Sequence, residues 1–221
     1  MKIQDLLNIY ISKNIANIVK KYFILNDPLK EEDYMELQRS DIKSFDSGDI
    51  NFIRSMIERG ANDWNEGLRY ACEGGHMEFV KLIIEKGAND WNWGLDYACY
   101  GGHMEIVRLM IEKGADDWNN GLIYACESGH MEIVKLMIEK GADNWNWGLL
   151  NACKGGHMEI VKLMIEKCAN NWNYGLGYAC KDGHMEIVRL MIEKGANNIQ
   201  NCLEITKDQT ILEYLKSLIT Q

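Results

Sequence analysis

The sequence predicts an all-α solenoid of stacked helix–turn–helix units, and three observations carry that prediction. Trp64, Trp91, Trp118, Trp145 and Trp172 recur every 27 residues, and so do His76, His103, His130, His157 and His184. A fixed period of this length is the mark of a repeat architecture. Each period also contains a helical stripe: Ile106, Val107, Met110 and Ile111 fall at i, i+1, i+4 and i+5, the spacing of one broad buried face. Finally, the 221 residues hold 20 glycines and one proline, which fits many helices ended by glycine. A helix pair of 27 residues cannot bury both flanks alone, so neighbours must stack.

The elements follow in order. Residues 1–40 do not repeat; Ile15, Ile18, Val19, Tyr22 and Phe23 form an amphipathic helix, and Asp27 with Pro28 opens another that runs to about Arg39. Residues 41–60 are a degenerate repeat in which Gly48, Ile50, Phe52 and Gly60 keep the register. Five full units then span 61–87, 88–114, 115–141, 142–168 and 169–195, reading A-N-D-W-N-x-G-L-x-Y-A-C-x-G-G-H-M-E-I-V-K-L-M-I-E-K-G. In each, a first helix is expected to start after the Asn that follows Trp (Asn92, as N-cap) and to end at Gly101 and Gly102. A second helix is expected from about His103 to Lys113, stopped by Gly114. At the far end Leu203 aligns with Leu176, Ile199 stands in the place of Trp, and a last helix covers about 211–219. The chain therefore divides into a helical cap or small docking segment (1–40), repeats (41–195) and a capping repeat (196–221).

These residues resemble the ankyrin repeat. The G-H-M-E-I-V-K-L-M-I-E-K-G-A segment matches the family's second helix and loop almost position for position. G-L-x-Y-A-C stands where the family has T-P-L-H-x-A, keeping Leu and Ala. The unit is six residues shorter than the usual 33, and the missing stretch is the family's β-hairpin finger, so the resemblance implies a finger shortened to a tight turn around Trp-Asn. Short units of this Trp-Asn/Gly-Leu kind, rich in Asn, Ile and Lys, look like those of the giant DNA viruses of amoebae, the mimivirus relatives. In ankyrin repeats the equivalent histidine hydrogen-bonds between neighbouring loops, which the resemblance implies here too.

Composition narrows the function. Hydrophobic residues make up 47% and charged ones 26% of a chain with net charge −9, ordinary for a soluble folded protein. Residues 41–194 account for −8 of that charge, which argues against binding nucleic acid through phosphates and against a strongly acidic partner. No apolar run is long enough for a membrane span, and Asp5 interrupts any signal-peptide stretch; a cytoplasmic location is expected. The five histidines sit one per unit on helices about 8–10 Å apart, too far to share a metal bound through ~2 Å bonds. Cys72, Cys99, Cys126, Cys153 and Cys180 read as reduced core thiols. Cys168 replaces the unit's terminal Gly, where a positive φ is expected to cost about 1 kcal/mol, and Cys202 falls in a frayed last loop. The Trp column reads as an apolar plug in place of the finger. No catalytic constellation, metal site or cofactor motif appears, so no enzyme is expected.

Comparison of the five units locates a candidate surface. Three columns vary most in chemistry: Glu66, Trp93, Asn120, Trp147, Tyr174; Arg69, Asp96, Ile123, Leu150, Gly177; and Glu73, Tyr100, Glu127, Lys154, Lys181. A fourth holds Tyr70, Tyr97, Tyr124, Asn151 and Tyr178. The four lie at i, i+3, i+4 and i+7 of the first helix and so share one face, which is expected to be open. In ankyrin repeats that face lines the concave groove where partners bind. The expected partner-binding residues are Glu66, Arg69, Tyr70, Trp93, Asp96, Tyr97, Tyr100, Ile123, Tyr124, Trp147, Leu150, Lys154, Tyr174, Tyr178 and Lys181, with the aromatics as anchors and early acids against late lysines orienting the partner. The expected function is a monomeric, non-enzymatic module that binds a protein, a host protein if the source is viral. Two other readings remain open: a self-assembling structural protein, and a ubiquitin-ligase substrate adaptor acting through residues 1–40.

Overall fold

The computed structural model describes residues 64–220, and among them there are helices and no strand. The readings placed on residues 1–63, the N-terminal cap or docking segment and the degenerate repeat among them, lie outside the described residues. Twelve helices follow in order. The first helices of the repeats are α1 (Trp64–Glu73), α3 (Trp91–Gly101), α5 (Trp118–Ser128), α7 (Trp145–Gly155) and α9 (Trp172–Asp182). The second helices are α2 (Met77–Glu85), α4 (Met104–Lys113), α6 (Met131–Lys140), α8 (Met158–Glu166) and α10 (Met185–Glu193), and α11 (Ile199–Ile205) and α12 (Gln209–Ile219) follow. The fold is all-α, built of stacked helix pairs as expected.

Two compact units form, one from residues 64–98 with 105–115, the other from 99–104 with 116–220. In the first, α1 packs on α2. In the second, α5, α7, α9 and α11 pack in sequence, each against its own second helix, and α8, α10 and α12 follow one another behind them. The core is the repeat's most constant part: Leu, Ala and Cys of each repeat's first helix (Leu122, Ala125, Cys126) against Ile, Val and Met of the second (Ile133, Val134, Met137), replaced in α2 by Phe79, Val80 and Ile83, all buried. Each such large side chain contributes about 1.5–3 kcal/mol by leaving water. The predicted four-residue stripe is narrower than expected: Ile106, Val107 and Met110 are buried, but Ile111 is only half-buried.

One glycine column has a steric cause. A Cβ at Gly148 would sit 2.6 Å from Met164 Sδ, and the same clash recurs at Gly94 with Met110 (2.6 Å), Gly121 with Met137 (2.7 Å) and Gly175 with Met191 (2.9 Å). The glycine therefore lets the first helix lie on the methionine of the second.

The helix start differs from the sequence expectation. The first helix begins at Trp itself, two residues earlier, and the cap is the residue before it: Asp117 Oδ1 accepts the Asn120 N–H at 3.1 Å, and Asp90 Oδ1 accepts the Trp93 N–H at 3.1 Å. The Asn after Trp has another task. Asn119 Oδ1 accepts the N–H groups of Asp143 (3.0 Å) and Asn144 (2.9 Å) in the next repeat's loop. Asn65, Asn146 and Asn173 do the same 24 and 25 residues ahead. In the link 141–144 the amides of Gly141 and Ala142 turn back onto α6, and those of Asp143 and Asn144 take the asparagine as acceptor; an unsatisfied amide away from water is costly. The finger is thus reduced to a four- or five-residue link without a strand among the described residues. The Trp residues are half-buried rather than a buried plug, and the Trp145 ring lies 5.9 Å from Lys167 Nζ.

The histidines tie repeats together. His130 Nε2 donates to the Tyr100 carbonyl (3.1 Å), His157 Nε2 to Glu127 (3.0 Å) and His184 Nε2 to Lys154 (2.9 Å), each reaching the last turn of the preceding first helix. Second helices end in glycines with φ near +110° (Gly114, Gly141), and Cys168, in the equivalent place, is held at φ 72°. No helix among the described residues is long and apolar enough to cross a membrane.

Candidate functional site

Burying Gly, Leu, Ala and Cys on one side of each first helix turns the four variable columns to the other side. In α5, Asn120 is exposed while Ile123, Tyr124 and Glu127 are half-buried. The expectation that chemically variable columns must be open fails at three positions: Glu66 is 2% exposed, Leu150 7% and Asp96 8%. Glu66 belongs to the first column and is bonded by Arg69, while Asp96 and Leu150 both belong to the second column, which lies nearer the buried face of the helix.

In the first unit the variable face closes on itself. Arg69 Nη2 and Nε donate to Glu66 Oε1 at 2.6 and 2.9 Å, and Arg69 Nη1 lies 3.5 Å from Glu73 Oε2. The guanidinium stacks 3.8 Å from the Tyr70 ring centre, 4.6 Å from Tyr97 and 5.8 Å from Trp93, within reach of cation–π attraction. Burial disfavours the Arg69 charge, but the Glu66 hydrogen bond and the neighbouring Tyr70, Glu66 and Tyr97 hold its pKa above the ordinary value. Trp93 meets Tyr97 edge-on at 6.3 Å and 74°. The early acids therefore face Arg69 or the interior rather than a partner, and the expected acid-to-lysine polarity is not displayed on this unit's surface.

The second unit shows a more open face. Tyr100 and Tyr124 meet edge-on at 6.2 Å and 89°. Lys154 Nζ donates to Glu127 Oε1 one repeat back at 2.7 Å; this hydrogen bond raises the lysine's pKa against a small burial effect, with Glu127 and Asp182 adding to the rise. Both partners are reached by solvent, so the pair contributes no more than about 1 kcal/mol. Beyond it Trp147 is 53% exposed and Tyr174 69%, and Asn151 Nδ2 donates to the Trp147 carbonyl at 2.9 Å. Tyr178 is half-buried and Lys181 exposed.

Sequence reasoning missed a groove of about 490 Å³ between α9 and α11, lined by Tyr174, Gly177, Tyr178 and Lys181 on one side and Asn198, Asn201 and Ile205 on the other. It opens because Gly177 stands in a column that carries a side chain in every earlier repeat; a Cβ there would meet nothing within 4 Å. That absent side chain was the available signal. No group of three or more metal-ligating side chains is found among the described residues.

Comparison with known proteins gives one family. The family model for ankyrin repeats (three copies) matches residues 43–120, 68–146 and 122–202. No curated protein matches the chain. Ankyrin repeats are generally protein–protein interaction modules and typically not enzymes. The matches run through every helix pair from α1 to α10 and together span well over half of the sequence: the chain belongs to the ankyrin repeat family.

Proposed function

We propose that the chain is a non-enzymatic module that binds a protein partner on the variable face of its first helices, with a separate aromatic patch on each unit: Arg69, Trp93 and Tyr97 on the first, and Tyr100, Tyr124, Trp147 and Tyr174 on the second. The observation that carries this is the exposure of Trp147 (53%) and Tyr174 (69%) on adjacent helices whose opposite faces are wholly buried. Side chains left this far in solvent bury little in the core, and surface Trp and Tyr are the commonest anchors of protein interfaces. The groove beside Gly177 offers a place for one partner side chain between Tyr178 and Ile205. The partner in this reading is a host protein met in the host-cell cytoplasm by a monomer, on the resemblance of the short units to those of giant DNA viruses. Residues 1–40 and 196–221 belong to the same proposal as a cap or docking segment and a C-terminal cap.

The test compares two baits in amoebal lysate: the full chain, and one carrying Tyr100→Ala, Trp147→Ala and Tyr174→Ala with an unchanged thermal midpoint. Proteins held by the first and lost by the second are expected. Identical capture on both baits would end the proposal for the second unit's patch, and identical capture by a further bait carrying Trp93→Ala would end it for the first. One observation favours self-assembly instead: Ile219 is 56% exposed at the end of α12. A light-scattering mass that rises with concentration, and stops rising in Ile219→Lys, would favour that second reading.

A further inference from the structure

Cys202 stands where the five full repeats have glycine. Leu203 follows it as Leu176 follows Gly175. The Cys202 N–H reaches the Asn198 carbonyl (3.3 Å) as the Gly175 N–H reaches Asn171 and the Gly148 N–H reaches Asn144, both at 3.0 Å. In the earlier repeats the Cβ that glycine lacks would face the thiol of the preceding first helix. It would lie 3.3 Å from Cys99 Sγ at Gly121, 3.5 Å from Cys126 Sγ at Gly148 and 3.2 Å from Cys153 Sγ at Gly175. Cys180 is the next thiol in that series, and it faces the one position where the Cβ exists and carries a second sulfur. An S–S bond of about 2.05 Å sets roughly 3 Å between one Sγ and the opposite Cβ, close to the spacing that the repeat imposes.

Room for the Cys202 side chain comes from the second helix. Seven residues after its N-cap His184, Met191 presses Sδ to 2.9 Å from the Gly175 Cβ position. Seven residues after the N-cap Asp208 stands Leu215, buried, without a methionine's sulfur and terminal methyl. Cys180 and Cys202 are both fully buried, and they share a hydrogen bond. That bond, with burial, raises the Cys180 thiol above its ordinary range; at Cys202 the bond wins over burial and lowers the pKa.

We propose that Cys180 and Cys202 are a disulfide-forming pair that fastens α11 to α9 when the chain meets an exchangeable disulfide such as glutathione disulfide. The Cys202 thiolate attacks one sulfur of the reagent, forming a mixed disulfide and releasing one glutathione thiolate. Cys180 then attacks Cys202 Sγ and releases the second. The two cysteine protons go to the two released thiolates; the chain loses two electrons and the reagent is reduced to two thiols. Because both sulfurs are buried, exchange passes through local opening of α11, a helix of only 7 residues. Cys126 and Cys153 face glycines and have no such partner.

The experiment uses the full folded chain with Cys168→Ser, which removes the exposed thiol that shares a tryptic peptide with Cys180. After glutathione disulfide, alkylation and trypsin, mass spectrometry is expected to find peptide 168–181 joined to peptide 195–207, the link vanishing on reduction. It should be absent in Cys202→Gly, which restores the residue of the other repeats. Hydrogen exchange of the α11 amides is expected to slow at least tenfold on oxidation in the parent and not in Cys202→Gly. Recovery of both cysteines as alkylated free thiols, a stable glutathione adduct on Cys202, or a link that forms only in urea would each overturn the proposal.

Discussion

Cys168 is held at φ 72°, the only non-glycine at positive φ among the described residues. Its counterparts Gly87, Gly114, Gly141 and Gly195 sit at 105–111°, and a Cβ at each would meet nothing within 4 Å. The cost of Cys168 is thus purely backbone. The side chain has pulled φ toward the left-handed well that an L-residue tolerates near +57°, at about 1–2 kcal/mol. Part of this is offset because glycine frees the unfolded chain more than cysteine does. Cys168→Gly is expected to raise stability by about 0.5–1 kcal/mol, seen as a higher urea midpoint at unchanged slope. A midpoint that stays or falls would mean that the left-handed residue costs nothing here.

At the scale of the helix pair, the fit of glycine under methionine sets how closely two helices approach. Gly148→Ala would place a methyl 2.6 Å from Met164 Sδ. The better helix propensity of alanine, about 1 kcal/mol, works against an overpacking cost of about 1–3 kcal/mol. Because the methionine is enclosed, the clash is expected to win, with a net loss of about 1 kcal/mol by chemical denaturation. Adding Met164→Leu, the combination that the chain uses at Cys202 and Leu215, should recover most of it; a double variant weaker than the single one would refute the pairing. The period in the sequence made the helix pairs, their glycine stops and the buried columns legible, because each repeats with fixed spacing. The cap was not, because Asp117 and Asn119 flank Trp118 and both are capping residue types; only the three-dimensional path of the link shows that Asn119 is engaged with the next repeat. Nor could spacing show that Glu66, Asp96 and Leu150 turn inward, since one face of a helix includes margins that a neighbour covers. The Arg69 cluster and the Gly177 groove depend on contacts between side chains of different helices, which a single helix period does not encode.

Over the whole molecule, repetition of a buried thiol column turns a local effect into a global one. Burial pushes Cys72, Cys126 and Cys153 from an ordinary 9.0 up to about 12. The unfolded chain releases these protons above pH 9 while the folded chain keeps them, so the folded state binds more protons and stability must fall as pH rises. Below pH 9 both states are protonated and the thiols add no pH dependence; the loss develops between about 9 and 12. Each thiol contributes up to about 1.4 kcal/mol per pH unit, so three together reach roughly 4 kcal/mol per unit at the steepest, large against a typical stability of about 5–15 kcal/mol. Tyrosines and lysines titrate in the same window, which makes the informative quantity the difference between the parent and Cys126→Ala. The variant starts lower because it loses a packed sulfur, runs parallel to the parent below pH 8, and above 9 is expected to fall less steeply than the parent by up to about 1.4 kcal/mol per pH unit. The curves come from urea unfolding at each pH. Parallel curves throughout would show that the thiols ionise in the folded chain without penalty, and that their burial does not couple to folding.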